Sequence, residues 1–321
     1  MTLPNRPRYA ARLNAFKVKG GTVAEMIAGV GQVAGLSAAD LNYPDHFEAH
    51  SPAQLSQLLA GQGLALNGLA MRYYTESGFR LGAFTHPDPA TRRAAIDLTR
   101  RGIDACAAMG GTQMTLWMGQ DGFDYSFQVD YARMWDDTLT AIAEVADHNP
   151  QIDIAVEYKP NEPRAFALMP DMASTLLALK DVGRANTGVT LDFAHVLYAG
   201  EMPAQAAEMA ARHSRILGVH LNDGYGKRDD GLMAGTVHPV QVVELFVALA
   251  RLGYDGVIYF DTFPDLSGLN PAHEAETNIR LTDRLRVIAA GLAADPALAE
   301  AQSRQDAAAT TRIVMAALYG A

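Results

Sequence analysis

Residues 151–164, QIDIAVEYKPNEPR, place two ionisable side chains directly after a short apolar strand. The strand is predicted for residues 152–156, Glu157 and Lys159 follow it, and two prolines prevent a helix from starting there. An unpaired buried carboxylate is costly to desolvate, so a carboxylate at this place indicates a neighbouring cation or metal ion. The alternative is a Glu–Lys pair exposed in a loop, where charges are common. The later strands decide between the two.

Three later apolar segments also end in a chemically active side chain. TGVTLD ends in Asp192, ILGVH ends in His220 and GVIYFD ends in Asp261. They belong to a longer series in which strand patterns alternate with amphipathic helical patterns. Eight such units are predicted, and the first strand covers Ala11 to Val18.

The count and spacing of these units predict an α/β fold, a (β/α)8 TIM barrel, over residues 1–293. Residues 294–321 are alanine-rich, show a helical pattern and contain no strand. They predict a C-terminal helical extension that packs on the barrel or on another subunit. An open doubly wound sheet is the alternative fold, but no glycine-rich phosphate turn follows the first strand.

The composition is that of an ordinary globular protein with an acidic balance. Of the 321 residues 49% are hydrophobic, and the formal net charge is -10 without any basic block. We therefore expect no nucleic-acid partner and no membrane partner. The single cysteine, Cys106, excludes an internal disulfide and a thiolate metal cluster. The N-terminus lacks the apolar run of a signal peptide, so a cytoplasmic protein is expected.

The strand ends predict a metal site. In such a barrel the active site lies at the C-terminal ends of the strands, which are about 4.8 Å from their neighbours. Predicted strands five to eight end at or near four side chains that can converge on one point: Glu157, Asp192, His220 and Asp261. Three carboxylates and one imidazole suit Mn²⁺ best, and also Mg²⁺ or Co²⁺, with Zn²⁺ left open.

A second set of candidate ligands stands beside the first. His195 follows Asp192 by three residues, and Asp229 and Asp230 lie in the loop after His220. With Asp192 as a bridge, these residues could hold a second ion at about 3.5–4 Å from the first. Alternatively, His195 bonds within its own loop and the two aspartates are solvated. One or two ions per subunit are therefore expected.

Other strand-end residues are candidates for binding a substrate. Lys159 is placed to hold a hydroxyl or carbonyl oxygen near the metal, or to neutralise the acidic cluster. Trp117 and Phe16 could form the walls of a sugar-sized pocket, although aromatic residues at strand ends also serve as core. His46 or Asp45 could transfer a proton when a cyclic sugar opens.

Two segments resemble a known family. AVEYKPNEPR resembles the metal-binding signature E-P-K-P-N-E-P-R of bacterial xylose isomerase, and TLWMGQDGFDY resembles the W-G-G-R-E-G-x-E-Y loop of the same family. The resemblance implies that Glu157 is a metal ligand, that Lys159 is an active-site lysine and that Trp117 lines the sugar pocket. The chain is therefore identified as a member of the xylose isomerase-like TIM-barrel superfamily.

The ligand identities are more similar to those of bacterial L-rhamnose isomerases. Those enzymes also carry Glu, Asp, His and Asp on strands five to eight, and an L-D-x-x-H spacing that His195 matches here. This implies that His195 binds a second, catalytic metal. The chain departs from the shared D-x-D-L motif, because it has Asp229-Asp230-Gly231-Leu232. If Asp229 takes the first place, Gly231 leaves the second without a ligand unless Asp230 moves in.

These observations predict an aldose–ketose isomerase that acts on an unphosphorylated pentose or hexose. The first metal would polarise the sugar oxygens, and a second ion near His195 and Asp229 would assist a hydride shift from C2 to C1. A small-molecule sugar is the expected partner, and related isomerases imply a homo-oligomer, a dimer or a tetramer.

Three alternatives follow from the same residues. A one-metal ketose 3-epimerase or 3-oxo-glycoside lyase would use the same barrel, although epimerases of this superfamily usually end the ligand set with Glu where this chain has Asp261. A metal-dependent endonuclease of the same fold would need a basic groove, which the charge of -10 disfavours. A sugar-binding protein without catalysis would not need four buried metal ligands.

Overall fold

Eight parallel strands close into a barrel in the computed structural model, which describes residues 8–17, 20–75 and 77–320. The ten strands in chain order are β1 (Tyr9–Arg12), β2 (Leu36–Tyr43), β3 (Ala65–Met71), β4 (Gln113–Trp117), β5 (Gly122–Phe123), β6 (Asp153–Glu157), β7 (Phe166–Ala167), β8 (Thr187–Asp192), β9 (Ile216–Leu221) and β10 (Ile258–Phe260). The predicted (β/α)8 barrel is confirmed.

Helices surround the barrel and alternate with its strands. In chain order they are α1 (Val23–Gly31), α2 (Pro52–Gly61), α3 (Pro89–Ala108), α4 (Tyr131–His148), α5 (Met172–Val182), α6 (Phe193–Tyr198), α7 (Pro203–His213), α8 (Pro239–Arg251), α9 (Pro264–Ser267), α10 (Pro271–Ala293), α11 (Pro296–Ser303) and α12 (Ala307–Tyr319). The helix starts follow local sequence signals. Thr22 and Glu25 form a capping box at α1, and Asp130 and Asp171 cap α4 and α5 through their side chains.

The order of the strands around the ring divides the barrel into two halves. Going around, the strands follow each other as β1, β10, β9, β8, β6, β4, β3 and β2. The four strands that carry the predicted ligands, β6 and β8 to β10, are therefore contiguous. The opposite half consists of β1 to β4. The short strands β5 and β7 pair antiparallel outside the barrel, and the rings of Phe123 and Phe166 stack with centroids 5.2 Å apart.

The first strand lies earlier in the chain than predicted. We predicted a strand from Ala11 to Val18, but β1 covers Tyr9–Arg12, where Tyr9 pairs with both Leu36 and Ile258. A 3₁₀ helix follows it at Leu13–Phe16, because the apolar side chains there turn inward and pack. Val18 lies outside the described residues. As a result, Arg12 stands at the end of the first strand.

The C-terminal region is helical, as predicted, and packs on the outside of the barrel. α10 ends at Ala293, and we propose this residue as the end of the barrel domain. In α11, Leu298 and Ala301 are buried, whereas no residue of α12 is fully buried. Ile313 and Leu318 of α12 pack against the edge of the main core. No helix within the described residues is long and apolar enough to cross a membrane.

Candidate metal centre

The four predicted ligands converge at the mouth of the barrel. Each offers one ligand atom, and these atoms all lie within 4.8 Å of one another: Glu157, Asp192, His220 and Asp261. Within the part of the chain that the structure describes, this is the one such group. Glu157 Oε1 lies 3.2 Å from His220 Nδ1, and Asp192 Oδ2 lies 4.0 Å from the same nitrogen. Consecutive strands of one barrel half therefore present the four groups to one point.

Asp192 also has a structural role at this point. It is the last residue of β8 and the N-cap of α6, where its Oδ1 accepts a hydrogen bond of 2.9 Å from the backbone N–H of His195. The side-chain amide of Asn222 donates to both carboxylate oxygens, at 3.3 and 3.1 Å. Such bonds to a ligating carboxylate fix its orientation. Asn222 was not predicted; its position two residues after His220 is the signal that could have found it.

The four groups change one another's pKa values. Burial raises the pKa of Asp261 to about 7, although Arg12 and His220 act in the opposite direction. Burial disfavours a charged His220, but the nearby charge and hydrogen bond of Glu157 outweigh it and raise the pKa of His220 to about 9. Burial raises the pKa of Asp192 as well. A metal cation that replaced the proton of His220 would neutralise the charge of these carboxylates.

The donor set fits a divalent metal ion. Ligand atoms at about 2.1 Å from one ion lie about 3–4 Å from each other, which the observed separations approach. Three clustered carboxylates, two of them buried and that of Asp261 half-buried, would repel each other without a cation. The mixture of oxygen donors with one imidazole nitrogen suits Mn²⁺, Co²⁺ or Zn²⁺ and also Mg²⁺. The four residues therefore fit the divalent metal ion that the sequence predicts.

Metal affinity is expected to rise with pH. A ligating His220 must be neutral and Asp261 must be ionised, so protons compete with the metal below pKa values of about 9 and about 7. Each proton released changes the affinity by about tenfold per pH unit. Titration of Mn²⁺ followed by electron paramagnetic resonance, from about pH 6 to pH 9, measures this slope. A Mn²⁺ affinity independent of pH over that range would contradict the assignment of His220.

Lys159 joins the loop after β9 to this centre. Its Nζ lies 3.2 Å from Asp229 Oδ2 and 2.8 Å from Glu162 Oε2. Burial would lower the pKa of Lys159, but these two carboxylates raise it, so the ammonium stays charged. The same oxygen of Asp229 lies 3.1 Å from His195 Nε2. The structure therefore brings together all three predicted catalytic residues, Lys159, His195 and Asp229.

Two buried atoms of this group have no hydrogen-bond partner among the residues that the structure describes. These are His195 Nδ1 and Asp229 Oδ1. His195 Nδ1 lies 3.6 Å from Glu157 Oε1 and 3.9 Å from Asp192 Oδ1, so it is the nitrogen nearest the ligand set. Unpaired polar atoms in a buried position require an explanation, such as a bound ion, a water molecule or a catalytic role.

The next two residues of the loop motif, Asp230 and Gly231, supply no ligand to the centre. The carboxylate of Asp230 accepts hydrogen bonds from Tyr225 N–H and from Arg228 Nε, so it turns back onto its own loop. Gly231 has a φ of +57°, and a Cβ placed on it would lie 2.2 Å from the ring of Phe263. The chain thus has no room for a carboxylate at position 231 unless Phe263 moves.

A Gly231→Ala substitution is expected to destabilise the protein by about 1–3 kcal/mol. The left-handed backbone and the overlap with Phe263 both contribute. Gly226→Ala is the matched control, because Gly226 has a φ of +69° in the same loop and open space around its Cβ position. Urea denaturation of both variants measures the difference. Equal losses of stability would mean that contact with Phe263 costs nothing.

Aromatic and basic side chains form the other wall of the cleft. Trp117 lies below Lys159, whose Nζ is 5.5 Å from the ring centroid, and Tyr74 meets Trp117 edge to face at 5.0 Å. Arg12 donates to Asp265 Oδ1 at 2.8 Å and approaches Asp261 Oδ1 to 3.7 Å. Arg72 lines the same cleft. Arg12 was not predicted as a site residue, because the predicted first strand lies later in the chain than β1.

Two predicted substrate residues do not reach the cleft. Phe16 is buried in the core, where its ring lies against Gly29 of α1. His46 is buried as well; its Nδ1 accepts from the backbone N–H of Asn42, and its Nε2 lies 2.8 Å from Asn14 Oδ1. Burial, with Arg72 and other cations adding to it, lowers the pKa of His46 to about 3. Both ring nitrogens of this neutral imidazole are hydrogen-bonded to protein atoms. Its role in the structure is therefore to hold Asn42 and Asn14, and no ring nitrogen is left for a substrate.

Comparison with known proteins agrees with the barrel. A family model described as "Xylose isomerase-like TIM barrel" matches residues 23–285. The xylose isomerase of Thermus thermophilus is 28% identical over 205 residues, which are 62% of this chain and 53% of that protein. The chain spans about half the length of the curated relatives it matches.

Solved structures share the fold. The structure of an L-ribulose 3-epimerase has a TM-score of 0.70 and 17% identity, and the match covers 90% of this chain and 99% of that one. A D-allulose 3-epimerase from Methylomonas sp. has a TM-score of 0.68 and 20% identity, over 89% and 100% of the two chains. At these identities the likeness concerns the fold alone.

Proposed function

The chain belongs to the xylose isomerase-like TIM-barrel family, and from this premise we propose that it is a metal-dependent aldose–ketose isomerase. Its substrate would be an unphosphorylated pentose or hexose, and Mn²⁺ its preferred ion. The observation that carries the proposal is the charged Lys159 beside the four-ligand set, in a cleft with an aromatic wall. Assembly into dimers or tetramers is part of the same proposal.

A bound divalent cation would polarise the sugar oxygens and lower the pKa values of neighbouring groups. Lys159 would donate a hydrogen bond to the carbonyl or hydroxyl oxygen that gains charge during the reaction. Trp117 would pack on the apolar face of the sugar and exclude water. These roles use the side chains where they already stand.

His195 and Asp229 are proposed to hold and move a proton. When His195 Nε2–H donates to Asp229, the unpartnered Nδ1 becomes the free nitrogen that can accept a proton from a sugar hydroxyl. Asp229 would then stabilise the imidazolium that forms. Because the Lys159 ammonium already neutralises Asp229, this arrangement works with one ion. Lys159 and His195 both contact Oδ2 of Asp229, so a second ion would have to bind this residue through the unpartnered Oδ1.

A ketose 3-epimerase is the second candidate, and one observation favours it. The second-ion site that supports a hydride shift lacks a ligand at Gly231, where the ring of Phe263 occupies the space. A one-ion site with several carboxylates can instead remove and return a proton at carbon. The Glu157 and Asp261 carboxylates would be the candidate bases.

Product analysis distinguishes the two reactions. The protein is incubated with Mn²⁺, Mg²⁺ or Co²⁺ and a panel of pentoses, hexoses and their uronic acids, and products are separated by chromatography. Repeating the reaction in deuterium oxide shows by nuclear magnetic resonance where solvent hydrogen enters. Interconversion of an aldose and a ketose supports the isomerase, and deuterium at C3 of a ketose supports the epimerase. Absence of both with every sugar and metal would refute the proposed function.

A further inference from the structure

Arg72 differs from the other cations of the cleft because its charge is not hydrogen-bonded. Among the described residues its side chain has no hydrogen-bond acceptor, and its buried Nε is without a partner. The nearest carboxylate oxygen, Asp45 Oδ2, lies 4.0 Å from Nε, beyond hydrogen-bonding distance. The guanidinium is nevertheless held in place, because it stacks on the ring of Tyr74 with 4.3 Å between the guanidinium carbon and the centroid.

The other two cations that line the cleft are already paired. Arg12 donates to Asp265 at 2.8 Å and lies 3.7 Å from Asp261. Lys159 binds Asp229 and Glu162. Only Arg72, among the described residues that line the cleft, keeps a full set of unused guanidinium donors. Its side chain is 16% exposed, so a group in the cleft can reach it.

Arg72 faces the metal-binding residues across the barrel. It follows directly after β3, and the ring order places β3 opposite β9, the strand that carries His220. Tyr74 and Trp117 line the wall between Arg72 and Lys159 through their mutual ring contact. A sugar whose reacting end lies at the metal-binding residues would therefore direct its far end towards this guanidinium.

The guanidinium selects for a particular group at that far end. Its planar fork of N–H donors matches the two oxygens of a carboxylate, whereas a sugar hydroxyl would accept one bond and leave the charge unbalanced. Arg72 has no hydrogen-bonded carboxylate, only the approach of Asp45 Oδ2 to 4.0 Å, so its unused donors match one singly charged group. A phosphate dianion would need further donors, and the neighbouring Arg12 and Lys159 are already committed.

We propose that Arg72 binds a carboxylate at the end of the substrate remote from the metal-binding residues, so that the preferred substrate is a sugar acid of the hexuronate class. The inference rests on the proposed function and narrows its substrate to one class. Arg72 is then a residue that determines specificity rather than one that takes part in the hydrogen transfer.

Binding of unreactive probes tests this inference separately from turnover. Hexonates are hexuronates reduced at the reacting end, and each has a hexitol counterpart that differs only by CH₂OH in place of the carboxylate. Isothermal titration calorimetry of the Mn²⁺-loaded protein with both series gives the ratio of their affinities. We expect at least one hexonate to bind about tenfold or more tightly than its hexitol, the size of a charge-assisted pair.

Two variants locate the source of that preference. Arg72→Met should reduce the ratio to about onefold, and Arg72→Lys, which keeps the charge but not the fork, should restore part of it. Arg93→Met is the control, because Arg93 pairs with Glu144 on the outer helices and should leave the ratio unchanged. Mn²⁺ binding by every variant shows that the site is intact.

The outcomes separate the two proposals. Equal affinities for hexonates and hexitols, no hexonate binding, or a preference that survives Arg72→Met would overturn the role of Arg72. Tighter binding of a hexose phosphate than of every hexonate would overturn it as well. A preference that depends on Arg72, in a protein that converts no sugar, would support the binding of a carboxylate by Arg72 while the proposed function fails.

Discussion

A Glu157→Gln substitution is expected to remove divalent-metal binding and to lower turnover by about a thousandfold or more, because a bound metal contributes several kcal/mol of charge stabilisation. Of the predicted ligands, Glu157 is well suited to this test because a change there removes no helix cap. It contacts His220 and His195 through one oxygen and has no capping role, whereas Asp192 also caps α6 and binds Asn222. Glutamine keeps the size of the side chain and an oxygen acceptor while it removes the charge.

Thermal stability provides a readout that does not depend on the substrate. At a Mn²⁺ concentration of about 100 times its dissociation constant, the wild-type protein should gain about 2.7 kcal/mol, which is several degrees in Tm. Glu157→Gln should lose this gain, and metal analysis should show no bound Mn²⁺. Each variant is compared with its own metal-free form, so a change in intrinsic stability cancels.

Asp230→Asn is the matched control for this prediction. Asp230 is a carboxylate of the neighbouring loop that bonds Tyr225 N–H and Arg228 instead of facing the centre. The Asp230→Asn variant should keep both the Mn²⁺-dependent gain in Tm and the turnover of the wild-type protein. Retained Mn²⁺ binding in Glu157→Gln would show that Glu157 is not a ligand. Loss of binding in Asp230→Asn would mean that this loop supplies a ligand after all.

The ligand set could be predicted because its signals are local. Each apolar strand and the polar residue that ends it are adjacent in sequence, and the topology of a parallel barrel brings strand ends together. Glu157, His220 and Asp261 therefore follow from three short stretches read separately. The family motif around Glu157 and Lys159 adds to this reading, because its residues are also consecutive.

What could not be predicted depends on closure and packing. The register of β1 is set by pairing with β2 and β10, which are distant in sequence, and the strand prediction therefore missed Arg12. Phe16 lies near the end of the predicted first strand, where a pocket residue is expected. The 3₁₀ helix instead turns its ring into the core against Gly29. The contact between Gly231 and Phe263 joins two loops, and the hydrophobic periodicity of a sequence does not indicate contacts between loops. The two-residue strands β5 and β7 are too short to show an alternating pattern.

A Lys159→Met substitution is expected to lower turnover by roughly a hundredfold to a thousandfold while Mn²⁺ binding stays within about threefold of wild type. Lys159 is outside the ligand set, so the metal should remain bound. Its ammonium, in contrast, is the donor that lies beside the reacting oxygens in the proposed mechanism. Steady-state kinetics on the converted sugar, with parallel Mn²⁺ titrations, measures both effects. Lys180→Met, an exposed lysine of α5, is the control and should change neither.

The same loss of turnover could arise indirectly, because Lys159 also neutralises Asp229. The double variant Lys159→Met, Asp229→Asn separates the two roles, since it removes the lysine together with the charge that the lysine offsets. If Lys159 contacts the substrate, the double variant should be no more active than Lys159→Met alone. Recovery of turnover in the double variant would show instead that Lys159 acts through Asp229 and His195. The kinetic constants then locate the role: direct contact with the reacting oxygen lowers kcat, whereas a pure binding contact raises KM alone.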